Sequence, residues 1–216
     1  MVTIIIPTYN EENNIKRIEA QLKKLSGNFE VIFTDGYSSD NTFDMITFFK
    51  IQEAKYRSNQ MNSAIKYSNG DYLWFLHSDS KINLNAINSI EKSKADWGCF
   101  RLRFASNKLI YFFISAFSNL RVKTRKIAFG DQGIFIKKSL FIKIGKYDKI
   151  PIMEDYDLSI RLKKLNIPPV ILKEKIYTSP RRFEKNGIIK TIIMMQKLQF
   201  KFRNGGNIYK IYKEYK

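Results

Sequence analysis

One cysteine and one histidine in 216 residues set the first limits. Cys99 has no second cysteine to pair with, so an intramolecular disulfide and a cysteine-based zinc site are excluded. It sits in an apolar segment and is expected to be a buried structural thiol, in keeping with a reducing compartment. With so little cysteine and histidine, a metal site has to rest on oxygen ligands, which favours magnesium or manganese. Acids are scarce as well: 20 Asp and Glu against 38 Lys and Arg give a formal net charge of +18. Long apolar runs are missing. No segment reaches the ~18 apolar residues of a spanning helix. The longest, 109–120, is interrupted by Ser115, Ser118 and Asn119. Met1 to Ile4 offer no basic region and too short an apolar run for a signal peptide. A cytoplasmic chain is expected, with peripheral attachment to the inner face of a membrane left open.

Two phosphate-binding signatures are also absent. No Gly-x-Gly-x-x-Gly follows the first apolar run, and no P-loop Lys-Ser/Thr occurs. A dinucleotide oxidoreductase and a P-loop NTPase are disfavoured, and nucleotide binding has to use another device. No internal repeat or low-complexity linker divides the chain, so one domain is expected. The charge implies an anionic partner (nucleic acid, an anionic membrane or a phosphorylated substrate) or simply a lysine-rich solvated surface. No recognised nucleic-acid motif accompanies it, which makes nucleic acid the weaker partner.

What is present is an ordinary globular composition, 44% hydrophobic, with 17 Phe and 12 Tyr, more than a core of this size needs. The first half alternates strand and helix patterns. Val2–Ile6 reads as a strand stopped by Pro7. Asn10 is the expected N-cap of a helix carrying Ile15, Ile18, Leu22 and Leu25 at helical spacing and ended by Gly27. Phe29–Thr34 reads as a second strand. Phe43, Ile46 and Phe49 mark a second helix, with a short strand near Ile51–Ala54. Met61, Ala64 and Ile65 mark a third helix before the strand Tyr72–Leu76. This order predicts an α/β fold with a mostly parallel central sheet and right-handed crossovers. In the second half, Trp97–Phe104 and Gly133–Lys137 read as strands. Lys108–Val122 reads as an aromatic helix, and Asp155–Leu165 as a helix with Leu158, Leu162 and Leu165 inward. Val170–Leu172 reads as a strand, and Ile188–Arg203 as a basic, apolar helix.

Acids stand where the apolar runs end: Asp35, Asp79, and the pair Glu154–Asp155. Ligands of open α/β sheets collect at the carboxyl ends of parallel strands. Carboxylates there can hold a ribose or base, coordinate a hard cation, or act as a general base. Around them stand Pro7-Thr8-Tyr9-Asn10-Glu11-Glu12 and Asp35-Gly36-Tyr37-Ser38-Ser39-Asp40-Asn41-Thr42. Then come Arg57 and Gln60, His77-Ser78-Asp79-Ser80, Gly130-Asp131-Gln132-Gly133, the Glu154–Leu162 segment with Arg161, and Ser179-Pro180-Arg181-Arg182-Phe183.

In that order and spacing the motifs resemble the family-two glycosyltransferases with the GT-A fold, over about residues 1–185. The resemblance implies a Rossmann-like nucleotide-sugar-binding half at 1–105, an acceptor and catalytic half at 106–187, and a basic helical tail at 188–216. It implies a hexosyltransferase that moves a sugar from a nucleotide-diphosphate donor to a sugar or lipid-linked acceptor with inversion. Such an enzyme would work in cell-envelope polysaccharide or glycolipid synthesis. Pro7, Thr8, Tyr9, Glu11, Asp35, Ser38, Arg57 and Gln60 would meet the nucleotide sugar, with Asp35 accepting from a base N–H and Arg57 on the diphosphate. Asp79 would hold Mn2+ or Mg2+. His77 replaces the family's first aspartate, as in a small bacterial subgroup, and whether it ligates is open. Asp155 would be the base, its pKa raised by Glu154. Gly130, Asp131, Gln132, Arg181 and Arg182 would meet acceptor or diphosphate. The aromatic helix and the tail would either pack on the core or lie against an anionic leaflet. Two other readings stay open: a sugar-phosphate nucleotidyltransferase, and a basic nucleic-acid-binding protein.

Overall fold

The computed structural model describes residues 1–215. In chain order the elements are β1 Val2–Thr8, α1 Glu12–Leu22, β2 Phe29–Asp35, α2 Thr42–Met45, β3 Phe49–Gln52, α3 Arg57–Ala64, β4 Tyr72–Phe75 and α4 Ala86–Ser93. They continue with β5 Trp97–Phe104, α5 Leu109–Arg125, β6 Phe135–Lys137, α6 Lys138–Lys143, α7 Glu154–Lys164, β7 Val170–Thr178, α8 Arg181–Asn186, α9 Ile188–Arg203 and α10 Ile208–Tyr215. The strands form one sheet in the order β3-β2-β1-β4-β6-β5-β7. β6 alone among these runs against its neighbours, as the predicted mostly parallel sheet requires.

β1 is buried along its whole length because helices cover both faces of the sheet. Alternate residues point to opposite faces. Val2, Ile4 and Ile6 join Tyr72 and Trp74 under α1, α4 and α5, with Ile18 and Ile87 among the helical partners. Ile5 joins Leu73 and Phe75 under α3, α6 and α7, with Met61, Phe141 and Leu158. Each such side chain contributes about 1.5–3 kcal/mol when fully buried. A third, smaller cluster of Ile127, Met153, Tyr156, Leu198 and Ile211 fastens α9 and α10 to the body.

Several sequence expectations are corrected. Pro7 does not stop β1: it pairs with Thr34 within the strand. Its missing N–H is harmless because it falls on the β4 side, where pairing ends at Ile5–Phe75. The helix expected through Phe49 is only α2, and Phe49 opens β3 instead, half exposed. α1 ends at Leu22, short of Leu25. Leu165 lies past the end of α7 and is exposed. β7 is far longer than Val170–Leu172, because β5 pairs with it out to Phe104–Thr178.

Candidate active site

The loops after β1 and β2 lock onto each other at the carboxyl edge of the sheet. Asp35 is fully buried. Its Oδ1 accepts from Thr8 Oγ1 at 3.2 Å and Ser38 Oγ at 2.5 Å, and its Oδ2 accepts from Ser38 N at 2.8 Å. Asp35 thus organises the loop and offers no open face to a base. Gln60 is buried too, and its amide donates to Thr8 O at 2.7 Å and Thr34 O at 2.6 Å, tying α3 to both strand ends. Asn10 is not the N-cap of α1. It adopts φ 53°, and its Oδ1 accepts from Ser39 N at 2.9 Å. The first-turn amides of Glu11 and Glu12 are satisfied instead by Thr42 Oγ1 and Asp40 Oδ2. The Glu11 carboxylate accepts from Asn14. Tyr9 and Tyr37 are left exposed on this edge, with the Lys55 ammonium 4.3 Å from the centre of the Tyr9 ring.

The His77–Ser80 turn leaves β4 beside these loops. α1 pins it: Arg17 Nη2 donates to Asp79 O at 2.8 Å, and Gln21 Nε2 to Ser80 O at 3.2 Å. His77 is driven well toward the neutral form, its pKa falling to about 3, by burial and then by the Arg57 guanidinium. A neutral imidazole and the Asp79 carboxylate are suitable donors for a divalent cation. The described residues contain no group of three or more His, Cys, Asp or Glu able to enclose one. Two protein ligands with the rest drawn from phosphate oxygens is the pattern Mg2+ commonly takes, and the donor set fits it.

α7 delivers the catalytic candidates, and the polar residues of its sequence explain its position. Arg161 reaches Asp157 on its own helix at 2.7 Å and the carbonyls of Ile144 and Lys146, each at 2.7 Å. Ser159 Oγ donates to Ala128 O at 2.9 Å and accepts from Ala128 N at 3.1 Å, fixing the strand of chain that leads to Gly130. α3 clamps the preceding loop through Ser58 Oγ to Ile150 O and Asn62 to Tyr147. Met153, immediately before the pair, has φ 70°, a conformation a branched or bulky residue rarely holds without a packed surrounding.

Asp155 Oδ2 accepts from Gly130 N at 2.6 Å, and Oδ1 from Tyr156 N at 2.6 Å. A methyl on Gly130 would stand 3.0 Å from His77 Nε2 and 3.3 Å from Asp155 Oδ2, so glycine permits this close approach. Burial raises the Asp155 pKa, while the two amides and Arg57 oppose the rise. Glu154 is pushed up to about 7, by burial first and then by the Asp155 charge. The influence expected from Glu154 on Asp155 is seen in the other direction: the Asp155 charge helps to raise Glu154. Asp131 is raised to about 6 by burial, against the pull of Arg121, and its Oδ1 is buried without a hydrogen-bond partner. Despite burial, Arg57 is held more firmly charged by Glu154, Asp155 and Asp79.

These groups meet in one cavity of about 710 Å³, lined at its polar end by Arg57, His77, Asp131, Glu154 and Asp155. Gln132, expected to meet an acceptor, lies fully buried beneath it: its Oε1 accepts from Arg121 Nη2 at 2.9 Å and Phe129 N at 3.3 Å. Arg181 is exposed and does not line the cavity, and Arg182 stacks at 3.8 Å on Tyr215, which does. Sequence reasoning missed Arg121 and Arg125. Their signal was available, because Ile114, Phe117, Ser118, Arg121 and Arg125 recur at helical spacing and all line the cavity.

Comparison with known proteins bears on the fold and the family likeness. Residues 3–92 match the model of Glycosyl transferase family 2. The chain folds like the S. aureus protein TarS, residues 1-349, in complex with UDP-GlcNAc, with a TM-score of 0.63 at 18% identity over 82% of this chain and 58% of that one. The fold is that of GT-A glycosyltransferase structures, and the family match lies in the first 92 residues. An 88-residue stretch is 35% identical to the Escherichia coli UDP-Glc:alpha-D-GlcNAc-diphosphoundecaprenol beta-1,3-glucosyltransferase WfgD, covering 37% of this chain and 35% of WfgD. A 196-residue stretch is 27% identical to the probable glycosyltransferase YdaM of Bacillus subtilis (strain 168), covering 76% of this chain and 47% of YdaM. The chain thus spans less than half the length of these two relatives.

Proposed function

We propose that the protein transfers a sugar from a nucleoside-diphosphate sugar to an acceptor hydroxyl with inversion, Asp155 serving as base and Asp79, with His77, holding a divalent cation. The observation that carries this reading is the Asp155 carboxylate. It is fixed by Gly130 N at 2.6 Å and faces a cavity shared with Arg57 of the nucleotide half. The donor of WfgD and the ligand bound to TarS are UDP-sugars by name, and a UDP-sugar is the first donor to test here.

In the transfer step the acceptor oxygen attacks the anomeric carbon from the face opposite the diphosphate. Its proton passes to Asp155. The old bond to the diphosphate breaks, and the electron pair leaves with the nucleoside diphosphate. The two backbone N–H donors of Asp155 favour its ionised form against the burial that raises its pKa. Arg57 steadies the growing negative charge of the leaving group. When bound, a divalent cation supplies further positive charge to the departing diphosphate. Asp35 and Gln60 act indirectly, by holding the loops that present Tyr9 and Ser38 to the nucleotide. A cytoplasmic location is part of the same proposal.

A thermal-shift panel of nucleotide sugars with and without manganese tests the reading, followed by measurement of nucleoside diphosphate released. A UDP-sugar should raise the unfolding temperature, more so with manganese, and EDTA should lower turnover. Release of pyrophosphate would instead indicate a nucleotidyltransferase. Undiminished turnover in excess EDTA would remove the cation from Asp79.

A further inference from the structure

The cavity changes character along its length. Away from Asp155 its walls become Ile114, Phe117 and Leu120 of α5, facing Ile192 and Met195 of α9, with Phe183 at the side. Ser118, Thr124, Gln196, Gln199 and the arginines Arg121 and Arg125 break the apolar surface there. A sugar ring, which needs hydrogen-bond partners, gains little from such walls. The apolar lining also continues outward: Phe117 is 70% exposed, Leu120 51% and Ile192 38%. Among the described residues, ten of the twenty large hydrophobic side chains left exposed belong to α5 and α9, which form the two lips of this opening. An open apolar groove continuous with a polar site is the shape of an amphiphile's binding site.

The charges carried by its two lips have one sign. Neither α5 nor α9 contains an acid. Arg121 and Arg125 line the groove. Arg182, stacked on the lining ring of Tyr215, keeps a buried Nη1 with no hydrogen-bond partner.

We propose that the groove between α5 and α9 is the subsite for the hydrocarbon chain of an anionic amphiphilic acceptor. The phosphate or diphosphate of that acceptor is held by Arg121 and Arg125, which line the groove, and its hydroxyl is directed toward Asp155. The inference rests on the transferase reading for its catalytic end only. The apolar subsite can be tested without turnover.

The test is titration calorimetry of the full chain with dodecyl phosphate and butyl phosphate, each below its micelle concentration, and with UDP in parallel. Dodecyl phosphate should bind at least about 100-fold more tightly than butyl phosphate, since each added methylene placed in the groove is removed from water. The Phe117→Asp/Ile192→Asp double variant should weaken dodecyl phosphate at least tenfold and leave butyl phosphate and UDP unchanged. Arg125→Ser should weaken both phosphates and spare UDP. Equal affinity for the two chain lengths, or a double variant that binds dodecyl phosphate normally, overturns the subsite. So does a chain that ignores dodecyl phosphate and instead sediments with vesicles containing 30% phosphatidylglycerol, which would make the face a membrane surface. A failure to bind UDP would count against the transferase reading alone and leave the chain-length result standing.

Discussion

Asp35 and Glu154 are both buried carboxylates at the edge of the same sheet, and their surroundings differ in kind. Asp35 accepts three hydrogen bonds, from Thr8 and Ser38. Glu154 is buried to 6% exposure against a second acid and titrates near 7. The first half of the chain uses its acids and amides as struts: Asp35, Gln60, and Asp40 over the start of α1. The second half of the chain raises its acids by burial: Glu154 beside Asp155, and Asp131 with an orphaned Oδ1. A satisfied buried carboxylate holds structure, whereas an unsatisfied one stores a raised pKa that chemistry can use. Asp155 stands between the two, fixed by amides on both oxygens yet open to the cavity.

That contrast can be broken or sharpened by substitution. The largest effect is expected at Asp155→Asn: kcat should fall at least about a thousandfold, with UDP affinity, measured by calorimetry, changed no more than about twofold. Gly130→Ala comes next. Its methyl would press on His77 Nε2 and Asp155 Oδ2, and a displaced base should lower kcat by about 10- to 100-fold while the circular dichroism spectrum is kept. Asp35→Asn should behave as a strut. Unfolding in urea should show a loss of about 1–3 kcal/mol, and UDP should bind more weakly because the loop loosens.

Glu154→Gln is the smallest effect and has the opposite sign. A glutamate raised from 4.5 to about 7 binds more protons folded than unfolded between those values. The stability it contributes is complete below the lower value and is lost as pH rises through the upper one. The variant should therefore melt a few degrees above the parent at pH 8 and level with it near pH 4. A lower melting point at pH 8 would place Glu154 among the struts.

The sequence made the scaffold legible where the signal was local. Buried apolar runs marked β1, β2 and β4, and the basic apolar period marked α9 with the bounds observed. It misled where a local period competed with distant pairing. Phe43, Ile46 and Phe49 repeat at helical spacing, but Phe49 pairs with Ile32 of β2 and becomes strand. The family motifs brought Asp155, Gly130, His77 and Arg57 to one site. They did not reveal which motif residues face inward. Gln60 and Gln132 look like ligand-binding amides until partners 52 and 11 residues away claim them. The groove was hidden for a similar reason: its lips, α5 and α9, are separated by the whole catalytic segment.

The most direct test of the claim that the uncompensated acids carry the chemistry is the pH dependence of kcat/KM, in the parent and in Glu154→Gln. The parent should lose activity in two ionisations as pH falls, the upper one near 7, because an ionised Glu154 makes its neighbour the stronger base. Glu154→Gln should keep only the lower ionisation. A parent profile flat down to pH 5, or an upper ionisation that survives in the variant, would contradict the account.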